Sequence, residues 1–410
     1  MWERPAGRSR RLIPRPPSLY KKPLQDADGR RIIARDWRCL LRTDRRAFLK
    51  DVAGAAGLVF VGCSLTDAAG QGSSRAAATR RPVTIKGKRI TTVDMHAHCA
   101  VPQANDLLRR TPAAPTQTQA SLLALDGQPL AQRLAAMDAQ GIDVAVLSIN
   151  PNWYDADRDL AAKVIAVQNE ALAAFCAAHA DRFAAFASVA LQFPDLAAQQ
   201  LEQAMKQMGL RGAAIGGSVA GAEVADPRFH PFWAKAEELG AVVFIHPQAT
   251  GSAPLADRLK GNGLLGNVIG NPLETTIALS HLIFEGTLDR FPRLKICAAH
   301  GGGYLPSYVS RSDHGCQTFP TQCTAGVPKL KPTEYVKRMY YDSLVFTPEA
   351  LRHLAAEVGA DHIVVGTDYP YPWVDAPVDH VLNTSGLSDA DREAILGGTA
   401  RKLLGLATRT

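Results

Sequence analysis

The sequence predicts a (β/α)8 barrel, an α/β fold, with a metal site at the C-terminal ends of its strands. Three observations carry that prediction. From residue 91 onward, eight short β-branched or apolar runs alternate with longer amphipathic ones, the pattern of repeated strand and helix units around a parallel sheet. Four of the runs end in a metal-ligand residue type, at Asp94-Met95-His96-Ala97-His98, Phe244-Ile245-His246, Ala298-Ala299-His300 and Val365-Gly366-Thr367-Asp368. The length of 410 residues, 46% of them hydrophobic, accommodates one such barrel of about 250 residues or more with its loops. Strand ends converge on one rim of this fold, so ligands far apart in sequence can share one ion.

The expected strands are 89–96, 144–149, 183–190, 212–216, 241–246, 295–299, 339–343 and 362–366. The run 241–246 is apolar throughout, as a barrel strand covered on both faces should be. Helix-like stretches occupy 130–140, 160–179, 195–208, 231–239, 273–289, 305–314, 348–358 and 388–404. Gly141, Gly209, Gly240 and Gly359 stand just past the last apolar turn of four of them, where a left-handed cap is wanted. Segment 101–127 has no clear period and little charge, and it follows the first strand on the rim where loops build active sites. It is read as a substrate-facing excursion. In the loop 150–159, Trp153 and Tyr154 either line a ring pocket or simply pack.

The net charge of +7 belongs to the leader. Residues 1–90 hold 21 Lys and Arg against 7 Asp and Glu, or +14, so residues 91–410 hold 25 against 32, or −7. A mildly acidic body argues against a nucleic-acid footprint. Residues 1–42, rich in Arg and Pro, read as a disordered extension or a start placed too early, and 88–408 as the barrel domain. Between them, within 43–80, Thr43-Asp44-Arg45-Arg46-Ala47-Phe48-Leu49-Lys50 and the apolar run 52–61 resemble a twin-arginine export signal. That resemblance implies the twin-arginine machinery as a partner and a periplasmic or otherwise exported location, the cytoplasm being the alternative if the signal does not function. The apolar run is too short to span a bilayer as a helix, which takes about 20 residues. Two processing routes stay open. Phe60-Val61-Gly62-Cys63 is an imperfect lipobox that would lipidate Cys63 and bring the protein to a membrane, and Ala76-Ala77-Ala78 offers an ordinary cleavage site.

Seven cysteines with no CxxC spacing exclude a disulfide scaffold, although Cys316 and Cys323 either pair in an oxidising compartment or remain two free thiols. Cys99 follows His98, and alternation along a strand turns it to the other face, away from a ligand role.

His96 and His98 are two apart at a strand end, which puts both imidazoles in the barrel interior. His246 after the fifth strand and Asp368 after the eighth complete a set of three imidazoles and one carboxylate, with positions left open for water or substrate. Imidazole ligands suit zinc, manganese, iron or cobalt. Binuclear barrels of this type bridge two ions with a Lys that follows strand four. None occurs between Gln207 and Ala234, which favours one ion. His300 precedes Gly301-Gly302-Gly303, glycines that let backbone approach a ligand and turn N–H groups toward an anion. Its imidazole reads as a general acid/base rather than a fifth ligand.

These stretches, together with Asn271-Pro272-Leu273-Glu274-Thr275, the run from Phe291 to Gly303 and the closing Ile395-Leu396-Gly397-Gly398-Thr399-Ala400-Arg401-Lys402-Leu403-Leu404, resemble the amidohydrolase superfamily over about residues 90–406. The resemblance is to its decarboxylase branch, which includes aminocarboxymuconate-semialdehyde and resorcylate-type decarboxylases. It implies that His96, His98, His246 and Asp368 bind one divalent ion, zinc first and manganese as the alternative, and that His300 is the acid/base. It also implies a homodimer in which Arg311, eleven residues after His300, grips a substrate carboxylate in the partner's site. Two departures put the muconate-semialdehyde substrate in doubt: residues 111–132 contain no Arg, and Asn267 stands where an active-site Trp is expected. The expected activity is metal-dependent, non-oxidative decarboxylation of a small carboxylated hydroxy-aromatic or related unsaturated acid, with His300 or Asp368 managing the proton. The alternative is a metal-dependent hydrolase of a lactone, ester or carbon–carbon bond, or a hydratase, with Asp368 activating water. A non-enzymatic metal-binding exported protein is opposed by the unbroken ligand set.

Overall fold

A computed structural model of the chain describes residues 80–108, 123–248, 256–323 and 328–406. The twin-arginine stretch, Cys63, the Ala76-Ala77-Ala78 site and much of the 101–127 excursion lie outside the described residues.

Among the described residues, the eight strands of the barrel are β1 (Val93–His98), β2 (Val144–Ser148), β3 (Phe183–Ala185), β4 (Gly212–Gly216), β5 (Val242–His246), β6 (Lys295–Ala298), β7 (Tyr340–Asp342) and β8 (Ile363–Val364). Strands β1 to β3 form one parallel ladder and β4 to β8 another. Single parallel bridges at Ala187↔Ala213 and Asp94↔Val365 join the two ladders into a closed ring. Around it lie α1 (Gly127–Gln140), α2 (Arg158–Ala178), α3 (Pro194–Gln207), α4 (His230–Leu239), α5 (Asn271–Phe284), α6 (Leu305–Thr318), α7 (Pro348–Val358) and α8 (Thr399–Leu404). This is the (β/α)8 barrel that the alternation of runs predicts.

Two apolar layers follow from the two faces of each strand. Val93, Met95, Val146, Phe186, Phe244 and Val364 pack with one another inside the ring. Ala97, Leu147, Val243, Ile245, Ile296 and Ile363 pack outward against the helices. Strict alternation in β1 would put His96 and His98 on the opposite face from Val93 and Met95. A register shift between Asp94 and Ala97 against β2 resolves this: three steps on β1 match two on β2, a β-bulge. Below the bulge Met95 faces inward, and above it the His96 ring lies 5.1 Å from inward-facing Phe244.

Several element boundaries differ from expectation, each for a local reason. The first strand starts at Val93 rather than 89, because Lys88–Arg89 pairs with Thr84–Ile85 across a turn in which Gly87 has φ 79°. Residues 80–87 therefore belong to the barrel domain, which the Arg81–Asp379 ion pair ties to its far end. The stretch 273–289 breaks after Phe284 at Gly286, φ 74°, and resumes as the short turn Thr287–Arg290. The stretch 388–404 is not one helix. Asp389–Glu393 is separated from α8 by a kink at Gly397, where an added Cβ would sit 2.1 Å from the Thr91 carbonyl oxygen. Gly141 and Gly240 close α1 and α4 in the left-handed region, whereas Gly359 leaves α7 with φ 91° and ψ 138°. Of the two readings of Cys316 and Cys323 the structure takes the paired one, with Cα atoms 5.5 Å apart.

Gly212 opens β4 at φ 140°, and a Cβ there would lie 2.0 Å from the Val242 carbonyl oxygen on β5. Gly209, at φ 73°, would meet nothing within 4 Å. Gly212→Ala is therefore expected to cost about 3 kcal/mol and Gly209→Ala about 1 kcal/mol. Urea unfolding midpoints of the two variants measure this, and equal losses would remove the close approach as the cause.

Candidate metal centre

The ligand atoms of His96, His98, His246 and Asp368 all lie within 4.8 Å of one another, and all four residues are buried. His96 Nε2 and His98 Nε2 are 3.1 Å apart, and Asp368 Oδ1 is 3.3 Å from the first and 2.7 Å from the second. Two ligands that each sit about 2 Å from one ion stand roughly 3 Å apart, so this spacing fits a shared metal. The His246 ring completes the cluster 4.6 Å from that of His98 and 5.0 Å from that of His96. Its Nδ1 is buried without a partner among the described residues, as is that of His98.

The protein prepares these groups before any ion arrives. Asp342, at the end of β7, accepts from His96 Nδ1 at 2.6 Å, which keeps the proton on Nδ1 and frees the Nε2 lone pair. The same carboxylate accepts from the backbone N–H groups of His300 at 2.9 Å, Gly301 at 2.8 Å and Leu344 at 3.1 Å. The anion that the glycine-rich turn faces is thus Asp342, not substrate. The three glycines serve approach: Cβ atoms at Gly301, Gly302 and Gly303 would stand 2.7, 2.6 and 2.1 Å from Val345, Tyr341 and the Pro272 carbonyl oxygen, all at positive φ.

Two further groups brace the site. Asp94 accepts from His96 N at 3.0 Å, Thr367 N at 3.1 Å and Thr367 Oγ1 at 2.6 Å, fastening β1 to the segment after β8. Burial pushes its carboxyl up to about 6, against the opposing pull of those hydrogen bonds. Arg133 of α1 is buried, donates from Nη2 to the His98 carbonyl at 2.5 Å, and lies 4.5 Å over the Tyr369 ring. Neither role was visible in the sequence; for Asp94 the available signal is its place on β1 two residues before the ligand His96, and Arg133 carries none.

Electrostatics follow the same plan. Burial lowers His98, and lowers His246 well below the usual histidine range, leaving both neutral as ligands must be. Burial opposes charge on His96 as well, but the carboxylates of Asp368 and Asp342 outweigh it and push that imidazole up to about 10. The metal-free site therefore holds a proton where a cation would bind. Asp368 is held far below the carboxylate range, the imidazoles around it overcoming its burial.

His300 stands outside the four-residue cluster. Its ring is 5.2 Å from both His96 and His246, and its Nε2 is 3.8 Å from Asp368 Oδ2. Asp368 thus turns one oxygen to the ligand imidazoles and the other to His300. Both residues have positive φ, 60° for Asp368 and 56° for His300, conformations that cost on the order of 1 kcal/mol or more each and cluster at working sites.

A cavity of about 750 Å³ opens over the cluster, lined by His98, His246, His300 and Asp368, by Leu123, Ile149, Leu264, Tyr371 and Trp373, and by several amide side chains. Asn105 and Leu123 bring both described ends of the 101–127 excursion to this wall, and Asn267 lies on it as well. Cys99 lines the cavity but stays outside the ligand cluster. Trp153 and Tyr154 do not line it: Trp153 Nε1 donates to Val189 O at 2.9 Å, and the Tyr154 hydroxyl accepts from Gly216 N at 3.2 Å. Arg311 is exposed on α6 and does not line the cavity of its own chain.

The amidohydrolase family profile matches residues 93–406. The chain belongs to the amidohydrolase family. A curated relative from Dictyostelium discoideum, 2-amino-3-carboxymuconate-6-semialdehyde decarboxylase, is 34% identical over 278 residues, 67% of this chain and 76% of the relative. The gamma-resorcylate decarboxylase of Rhizobium radiobacter is 32% identical over 68% of this chain and 87% of its own length. Among solved structures, a dihydroxybenzoic acid decarboxylase from Polaromonas with bound manganese and 2-nitroresorcinol superposes with a TM-score of 0.68 at 29% identity, covering 78% of this chain and 98% of that one. The donor set of this amidohydrolase is one for a divalent metal.

Two measurements test the centre. Asp342→Asn should weaken metal binding about 10–100-fold, since an amide has one acceptor oxygen and cannot serve both the His96–His300 pair of donors and the Gly301–Leu344 pair. Competition with a chelator reads this out, and an unchanged affinity would remove Asp342 from the site. With its metal-free value near 10, His96 is protonated at neutral pH and must release that proton on binding, whereas His98 and His246 release none there. Affinity should therefore rise about tenfold per pH unit between about pH 7 and 9. A flat profile would contradict the proton held at His96.

Proposed function

We propose that this amidohydrolase is a metal-dependent, non-oxidative decarboxylase of a small carboxylated hydroxy-aromatic acid or a related unsaturated acid. The observation that carries the reading is the division of Asp368, with Oδ1 among the ligand imidazoles and Oδ2 3.8 Å from His300 Nε2, at the floor of a cavity of about 750 Å³. His96, His98, His246 and Asp368 would hold a divalent ion, which would supply polarisation of the substrate oxygens. His300, whose Nε2 stands 3.8 Å from the second oxygen of the ionised Asp368, would deliver the proton that the reacting carbon needs. In the reaction the bond from that carbon to the carboxylate breaks, its electron pair remains on carbon and takes up the proton, and CO2 leaves. No oxidant or reductant enters the balance. The decarboxylases from Dictyostelium, Rhizobium and Polaromonas support this assignment over hydrolysis.

We assign zinc to the site on its three imidazoles and one carboxylate, with manganese, the ion in the Polaromonas structure, as the competitor that elemental analysis distinguishes. Arg311 does not reach its own cavity, so a part for it in substrate binding requires a second copy of the chain, and a homodimer is the assembly this reading predicts. Export through the twin-arginine machinery is supported by the order of the leader's parts and by the Cys316–Cys323 disulfide, a bond of oxidising compartments.

Metal-loaded protein should release CO2 from a panel of hydroxybenzoates and carboxymuconate analogues while leaving esters and lactones intact. The reverse preference would replace decarboxylation by hydrolysis. His300→Ala should lower turnover by about 10²–10⁴-fold with metal content unchanged. Loss of the metal in that variant would make His300 a ligand instead.

A further inference from the structure

A second cavity, of about 510 Å³, lies at the opposite end of the strands from the metal centre. Lys295 and Tyr340 open β6 and β7, and His362 immediately precedes β8, so all three line it from strand feet. Cys297 and Val364, two residues on from Lys295 and His362, belong to the inner apolar layer, and Tyr340 packs against that layer. Alternation along a strand therefore turns the three side chains into the lower mouth of the barrel. Asp361 completes that side, and Glu393 and Lys402 of the C-terminal helices face it. Chemistry in a (β/α)8 barrel occupies the other rim, so polar groups gathered here serve binding rather than turnover.

These groups are not spent on one another. The Tyr340 and His362 rings stack with centroids 4.8 Å apart and planes 16° from parallel, a flat surface against which another ring can lie. Glu393 is held by Lys88 at 2.7 Å, but Lys295, Lys402 and Asp361 make no ion pair among the described residues. Two free ammoniums against one free carboxylate leave the mouth positive. The Tyr340 hydroxyl has no hydrogen-bond partner among the described residues either. Burial first, and the Asp361 carboxylate second, push its phenol up, so it keeps its proton. His362 Nδ1 lies 2.9 Å from the Met339 carbonyl oxygen, which can only accept, so Nδ1 carries the ring proton and Nε2 is left as an acceptor.

We propose that the lower mouth of the barrel is a second binding site, separate from the metal centre, for a small planar aromatic acid with one anionic group and one N–H or O–H donor. Its ring lies against the Tyr340–His362 pair, its anion meets Lys402 and Lys295, and its donor meets Asp361. A cavity of this size holds one such ring with its substituents. The site stands independently of the reaction assigned to the metal centre, since none of these residues lines that cavity.

The test is calorimetry on the full-length, metal-loaded protein, in which residues 407–410 after α8 are present. The probe is 4-aminobenzoate, run beside aniline, which lacks the anion, and benzoate, which lacks the donor. Saturable binding of the probe below about 1 mM is expected, with each analogue about tenfold weaker. Lys402 is exposed, so its replacement leaves the fold intact. Lys402→Gln should weaken the probe about tenfold with metal content and turnover unchanged, and Lys402→Arg should restore it. Asp361→Ala should bring the probe down to the affinity of benzoate and leave benzoate itself unaffected. Binding that is unchanged in Lys402→Gln and Asp361→Ala, as for a probe held in the metal cavity, overturns the proposal, and so does the absence of binding below about 1 mM. Should the metal-loaded protein decarboxylate no acid, the decarboxylase reading fails and this test still stands.

Discussion

The carboxylate of Asp342 is the contact on which the catalytic end of the barrel depends. It is fully buried, yet it accepts hydrogen bonds from the His96 imidazole on β1, from His300 and Gly301 after β6, and from Leu344 just beyond β7. Burial would raise its pKa, but the imidazole and those donors lower it, so it stays ionised in the interior. A charge in such a place is tolerated because every side of it is occupied by a donor. The consequence is geometric. One group fixes the tautomer of a metal ligand and the backbone at the proposed acid/base, so the two cannot move independently.

Around that contact the chain departs from regular structure where the chemistry needs it. The extra residue in β1 lets an apolar face of the strand give way to a ligand face without turning the strand over. Asp368 and His300 take left-handed backbone conformations that strands do not use, and each is held by neighbours: Asp368 N donates to the His96 carbonyl at 2.8 Å, and His300 N to Asp342. Strain of this kind persists only where surrounding bonds over-determine it. Here those bonds come from Asp94, Thr367, Asp342 and Arg133, residues that need not touch a substrate.

The barrel was legible in the sequence because its signal is repetitive: apolar runs alternate with amphipathic ones, and a missed boundary at one unit does not disturb the next. The ligands were legible because His and Asp at the ends of apolar runs are chemically conspicuous. What stayed hidden was relational. Asp342 is a single acid after two tyrosines, and nothing local says that its partners stand 42 and 246 positions away. The bulge in β1 leaves no compositional mark. The kink at Gly397 answers to the Thr91 carbonyl, a steric demand from the other end of the barrel. The glycines after His300 did announce a backbone turned toward an anion, but whether that anion was substrate or protein depended on a strand the local sequence does not contain.

The same distinction separates the two ends of the cavity. The metal end is specified by charge, and charge in a buried site admits few solutions: imidazoles held neutral, a carboxylate held ionised, and one proton where a cation belongs. The amide wall is specified by hydrogen-bond valence, in which a hydroxyl, a water and a carbonyl differ by only a few kcal/mol. A family can therefore keep one reaction while its substrates diverge, since a change on the wall leaves the ligand cluster untouched. In this chain Asn267 stands where a tryptophan was expected, and it lies on that wall rather than among the ligands. A change at Asn267 therefore acts on the cavity wall and leaves the four ligands in place.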